Sequence, residues 1–216
     1  MTSFIYRIVT AFFMIVIGVG LYYLPIIYSS LCIASLLLIV LATEWPKIAK
    51  NRPAFWLLIP IYPVLPSIIL IVLNQDPIYR PLLGLSLLVV AVHDSGSYFV
   101  GKLCGRHPIA PYISPGKTWE GFFGGLIMNM IAIMSLILYC HLPITLYLFI
   151  GGTISFSTIA FLGDLFESWL KRKAGIKDSG SLLPGHGGFL DRFDSLLFVA
   201  TFLYLLKDYF VYYCVR

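Results

Sequence analysis

From Ile27 to Thr43 the chain carries no charged side chain. A helix needs about 20 mostly apolar residues to cross the hydrocarbon of a bilayer, and this run nearly supplies them. The pattern recurs at Ile8–Leu24, Ala54–Leu73, Pro81–Val100, Trp119–Cys140, Ile144–Leu162 and Phe189–Val211. Hydrophobic residues make up 59% of the 216 and charged residues 12%, whereas a soluble domain carries about 25% charge. The expected fold class is an all-α integral membrane protein. It is a polytopic helical bundle of about seven transmembrane helices, each long enough for the bilayer. Pro60, Pro63 and Pro66 fall inside the third run and remove helix donors, so that span should be kinked or broken. Glu44, Trp45 and Pro46 close the second. The first follows Arg7 and lacks a small-residue cleavage site, which favours a span over a removed signal peptide.

Basic residues orient the bundle. With the N-terminus in the cytoplasm, the inside links hold Lys47, Lys50 and Arg52, then Lys102, Arg106 and Lys117, then Lys171, Arg172, Lys173 and Lys177. The outside links hold only Arg80, with Lys207 and Arg216 near the outer end of the last span. That asymmetry is the positive-inside pattern. The net charge of +5 is therefore assigned to loops beside anionic lipid, and no nucleic-acid partner is expected. Cys32, Cys104, Cys140 and Cys214 form no C-x-x-C pair and imply neither a disulfide framework nor a zinc site. The whole chain reads as one membrane-embedded catalytic domain, residues 1–80 giving N-terminal spans and 81–216 catalytic spans and loops.

Charge is concentrated in one place. Of 25 acidic and basic side chains (15 Lys and Arg, 10 Asp and Glu), ten fall between Gly163 and Asp194. If Gly163–Lys173 is helical, Asp164, Ser168 and Lys171 share a face at i, i+4 and i+7. Pro184, Gly185, Gly187 and Gly188 favour an irregular turn around His186. Asp191 and Asp194 follow at i, i+3. Taken singly, these are what helix ends carry near water. Together, two separated carboxylate faces joined by a Lys/Gly/His loop suit Mg²⁺ bound by one or two carboxylates and substrate phosphates.

Two further stretches stand out. Asp94, in H-D-S-G-S-Y-F-V-G-K, lies inside the fourth span, where a charge costs roughly 2.5–3.5 kcal/mol. It either wets the interface or lines a polar cavity with His93, Ser95 and Ser97. Ser114–Gly121 reads S-P-G-K-T-W-E-G. It is no P-loop, because Pro111 stands where that pattern needs Gly and a preceding strand is implausible here. It should be a cytoplasmic turn carrying Lys117, with Thr118 capping the next helix and Glu120 in its first turn. Gly121 and Gly125 form a G-x-x-x-G packing signal, and Gly96 and Gly101 allow close backbone approach.

The run S-W-L-K-R, four residues, then K-D-S-G-S-L-L-P-G-H-G-G-F-L-D-R-F-D, from Ser168 to Asp194, closely resembles the signature of the phosphatidate cytidylyltransferase (CDP-diacylglycerol synthase) family. The upstream G-D-L at Gly163–Leu165, S-P-G-K-T-W-E-G and D-S-G-S-Y-F-V-G-K match as well, with Ser97 where Ala is more usual. The resemblance covers about Val90 to the C-terminus, and the chain is shorter than most bacterial members.

The resemblance implies transfer of the cytidylyl group of CTP to phosphatidic acid, giving CDP-diacylglycerol and pyrophosphate, at a bacterial inner membrane with the site facing the cytoplasm. It implies Mg²⁺ on Asp164 and Asp191, with room for a second cation and for a homodimer. Lys171, Arg172, Lys177 and Arg192 become candidates for the triphosphate, and Lys117 for CTP or the lipid phosphate. His186 would donate to a phosphate or hold the glycine loop. Asp178 and Asp194 would orient basic residues, and Asp94, Ser114 and Ser168 would bind substrate. A transporter using Asp94 and Asp164 would leave the Lys/Gly/His loop unexplained. A CTP-dependent polyprenol kinase or archaeal-type CDP-lipid synthase fits the complete signature less well. The presence of every motif acid argues against a catalytically silent paralogue.

Overall fold

A computed structural model describes residues 20, 22–180, 182 and 187–214. Apart from one short ribbon, its regular elements are helices. In chain order they are α1 (Ile26–Ala49), α2 (Pro53–Gln75) and α3 (Arg80–Cys104), strands β1 (Pro108–Ala110) and β2 (Ser114–Thr118), and α4 (Trp119–Tyr139) and α5 (Leu146–Ala174). Two shorter helices close the order, α6 (Leu190–Leu205) and α7 (Lys207–Cys214). Among the described residues, five helices, α1 to α5, are long and apolar enough to cross a membrane. Most of their apolar surface points outward, with Leu31, Ile61, Phe99 and Ile127 among the exposed side chains, as expected where lipid is the solvent. The expected span 8–24 lies almost wholly outside the described residues.

Several boundaries differ from the sequence reading, each for a local reason. Glu44, Trp45 and Pro46 do not close α1. Val40–Glu44 forms a π turn in which the Trp45 N–H bonds the Val40 carbonyl, and this wider turn carries the helix past Pro46. α2 is broken as expected. A 3₁₀ segment at Pro53–Leu58 precedes a wide turn at Pro60–Val64, where Tyr62 has φ −152° and ψ 116°. α5 does not stop at Leu162. No breaker intervenes before Gly175, whose φ of 76° ends it, so Asp164 sits within the helix.

The seventh span is not continuous. α6 has 16 residues, about 24 Å at 1.5 Å per residue, and is capped at Leu206. There Lys207 lies 4.2 Å from the Tyr79 ring centroid and Tyr79 donates its hydroxyl to Asp208. The Tyr79 hydroxyl and the Lys207 ammonium hold the exposed Asp208 carboxyl below its ordinary value. That polar anchor turns the chain into α7. Residues 114–118 are likewise a strand, where a turn was expected. β2 pairs antiparallel with β1, Ala110 opposite Ser114. The G-K-T thus lies in the strand itself and not in a loop after it, and remains unlike a P-loop.

α6 occupies the middle of the bundle, packed on α2, α3 and α5, with Leu196, Leu197, Val199, Ala200 and Leu203 buried. The α3–α4 seam is the most extensive contact and depends on the glycines. A Cβ at Gly125 would stand 2.3 Å from Ser97 Oγ and 2.7 Å from the His93 carbonyl, which bears out the packing signal. Two ends are then distinguishable. At one, Arg52 Nε reaches the Lys173 carbonyl at 3.3 Å, Asn51 reaches Ala174, and Arg172 Nε reaches Ile113 at 3.0 Å. At the other, Arg80 binds the carbonyls of Tyr22 and Leu24. The three basic links therefore gather at one end of the molecule.

Candidate active site

The site forms where the C-terminal halves of α3 and α5, the β-ribbon and the first turn of α6 meet. Gly163 allows it. A Cβ there would lie 2.9 Å from the Asp194 carbonyl and 3.0 Å from Ser195 Cα, so α5 and α6 meet nearly backbone to backbone beside Asp164. The long α5 then lines up acids and a base on successive turns. Glu167 and Lys171 pair at i, i+4 with 2.6 Å between Nζ and Oε2. The same ammonium lies 2.6 Å from Asp191 Oδ1. Glu167 is completely buried, and its Oε1 has no partner.

Asp191 Oδ2 is fully engaged. It accepts from the Gly188 amide at 2.7 Å, the Ser179 amide at 2.9 Å and the Ser179 hydroxyl at 3.0 Å. Asp164 is more open, with 40% of its side chain exposed, and Lys117 Nζ lies 2.8 Å from Oδ2. That ammonium is buried and, despite the short ion pair, makes no aligned hydrogen bond. The β-ribbon delivers Lys117 because Thr118 ends β2 and caps α4, its Oγ1 accepting from the Gly121 amide at 3.2 Å. Glu120 lies in the first turn and accepts from the Arg106 and His107 amides.

Asp94 stands ten residues before Cys104, the end of α3, or about 15 Å inside it. Its side chain is exposed, and the charges of Asp164, Lys117 and Arg192 are near enough to act on its carboxyl. His93 is buried, with a ring nitrogen 3.4 Å from Ser97 Oγ. Ser168 and Asp194 are buried, and Asp194 Oδ1 accepts from the Ser195 amide at 2.7 Å. Arg172 engages the Ile113 and Ile176 carbonyls and so ties the ribbon to the end of α5. Lys177, Asp178 and Arg192 are exposed, and Ser114 is half-buried at the start of β2. His186 lies outside the described residues.

A profile of the cytidylyltransferase family matches residues 4–210. This chain belongs to the cytidylyltransferase family. Among curated relatives, the phosphatidate cytidylyltransferase of Staphylococcus saprophyticus is 50% identical over 119 residues, 55% of this chain and 46% of the relative. Those of Staphylococcus haemolyticus and Staphylococcus aureus are 48% and 45% identical over the same share. The chain spans about half the length of the curated relatives it matches.

Two acids of this cytidylyltransferase-family chain were given no site role from the sequence: Glu167, one of the ten charges between Gly163 and Asp194, and Glu44, read only as closing a span. Glu167 had a local signal, its i, i+4 spacing to Lys171. Glu44 had a weaker one, a charge beside a Trp-Pro at the end of an apolar run, which reads equally well as an interface residue. In the fold it is completely buried and accepts from Ser179 Oγ, Phe189 N and Leu190 N at 2.9, 2.7 and 2.9 Å.

Proposed function

We propose that this chain transfers the cytidylyl group of CTP to phosphatidic acid. An oxygen of the lipid phosphate attacks the α-phosphorus of CTP and forms the new P–O bond. The bond from that phosphorus to the bridging oxygen breaks, and pyrophosphate leaves with the electron pair. The attacking phosphate is already anionic, so no side chain has to remove a proton. What the reaction asks of the protein is charge neutralisation and alignment. One observation carries the reading: each of the acids Asp164 and Asp191, in the stretches that match the family, faces a lysine ammonium, Lys117 and Lys171, at one end of the bundle.

Those lysines are poised to exchange partners. Lys117 has donors unspent and can turn from Asp164 to a phosphate oxygen. Lys171 can rest on Glu167, whose second oxygen is unpartnered, when Asp191 takes up another charge. The donor set also suits a hard divalent cation. Asp164 offers an accessible oxygen, and among the described residues no three His, Cys, Asp or Glu side chains are grouped to enclose a metal. Two carboxylates completed by phosphate oxygens and water is how Mg²⁺ is ordinarily held. Asp164 and Asp191 would hold it, and when bound it would neutralise the triphosphate. An apolar groove of about 500 Å³ between α2, α5 and α6, lined by Ile61, Leu65, Phe166, Phe198 and Phe202, suits an acyl chain of the lipid.

Labelled CTP tests the reaction. With purified protein, phosphatidic acid and Mg²⁺, label at the α-phosphate is expected in the lipid extract, and label at the γ-phosphate in pyrophosphate. Recovery of γ-label in lipid would mean a kinase instead.

We place the lysine-rich end in the cytoplasm, at a bacterial cell membrane, on the strength of the basic links gathered there and of the bacterial relatives. Cysteines replacing Lys173 and Gln75 are expected to react with an impermeant reagent from opposite faces of the membrane. Reaction of both from the same face would overturn the assignment.

A further inference from the structure

Ser179 and the start of α6 are held by a residue far from them in sequence. Glu44 lies 145 residues before Phe189, in the π turn of α1, upstream of the stretch that carries the signature. Its Oε1 accepts from the Phe189 amide and its Oε2 from the Leu190 amide. These are amides at the start of α6, which have no partner within a helix. A carboxylate there is also favoured by the helix dipole. On the other side Oε2 accepts from Ser179 Oγ, and that hydroxyl stands 3.0 Å from Asp191 Oδ2. The single hydroxyl proton is thus shared between two carboxylates. The packing leaves no slack. A Cβ at Gly188 would fall 2.3 Å from Ser179 Oγ and 2.6 Å from Glu44 Oε2.

We infer that Glu44 is a positioning residue for Asp191. It acts through Ser179 and the first amides of α6, and sets where that carboxylate stands relative to Asp164 and Lys171. Glu44 is completely buried and reaches the site only through these partners. The inference rests on the cytidylyltransferase reading for its activity arm, and on the structure alone for its second arm.

Glu44→Gln tests it. Either orientation of the amide would set its NH₂ against the Phe189 or the Leu190 N–H, so shape is kept and the clamp is lost. In the purified full chain, kcat with CTP and phosphatidic acid is expected to fall at least about ten-fold, the weight of one charged hydrogen bond. The KM for phosphatidic acid is expected to stay unchanged. Hydrogen exchange of peptides containing Phe189 and Leu190 is expected to accelerate about ten-fold, while α3 and α4 keep their protection. Ser179→Ala is expected to reproduce both effects, and the double variant to be little worse than either.

If the wild type converts CTP and Glu44→Gln keeps more than half of its kcat, the positioning role is overturned. Uniform acceleration of exchange, with kcat per folded molecule unchanged, also overturns it, since Glu44 would then serve stability alone. If the wild type does not convert CTP, the proposed reaction fails and the exchange arm decides. Local acceleration upholds the clamp, and unchanged exchange at Phe189 and Leu190 refutes it.

Discussion

Asp164→Asn and Asp191→Asn are each expected to lower turnover by about 10²-fold or more, the scale of losing charge stabilisation at a phosphoryl centre. The two variants should differ in everything except activity. Asp164 is part-exposed, and an asparagine there keeps an oxygen to face the Lys117 ammonium, so a smaller loss of detergent stability than at Asp191 is expected. Asp191 accepts from Lys171, from Ser179 twice and from Gly188. An asparagine there would set its NH₂ against one of those donors, and a lower thermal midpoint is expected alongside the lost activity. The double variant is expected to be little worse than the worse single, because groups that act as one unit are not additive. Steady-state assays at saturating Mg²⁺ check this. Retention of more than about half of wild-type activity by both single variants would remove the shared cation site.

Lys171→Met is expected to have the largest effect on stability. Its ammonium lies 2.6 Å from both Glu167 and Asp191, and Glu167 is completely buried. Taking away the cation leaves two carboxylates close together with little water, and breaking a buried pair in this way costs about 3–5 kcal/mol. Thermal unfolding in detergent reads the loss. Adding Glu167→Gln to Lys171→Met removes one of the stranded charges and is expected to recover much of the midpoint without recovering turnover. A midpoint for Lys171→Met equal to wild type would mean that the ammonium is not the compensating charge. Recovery of activity in the double variant would mean that Lys171 serves the fold alone.

Apolar runs, prolines and charge spacing determined by themselves that this chain forms helices long and apolar enough to cross a membrane, that α2 breaks at its prolines, and that Gly125 lies in a close helix seam. Each follows from rules acting within a few residues: backbone donors must be satisfied in lipid, proline has none, and a side chain cannot occupy space the facing helix fills. The same locality exposed the signature from Ser168 to Asp194, because its acids, lysines and glycines are close in sequence. Only the tertiary structure decided which lysine meets which acid. Lys117 reaches Asp164 because the β-ribbon folds against α5, a pairing that spacing along the chain cannot state. It also made Glu44 a buried clamp on α6, and not an interface residue, and it stopped α6 at Leu206, where Lys207 and Asp208 bind Tyr79 across the bundle. A charge beside an apolar run has the same local sequence whether water or a distant amide satisfies it. The difference is a contact between residues far apart in the chain, and it exists only once the helices have packed.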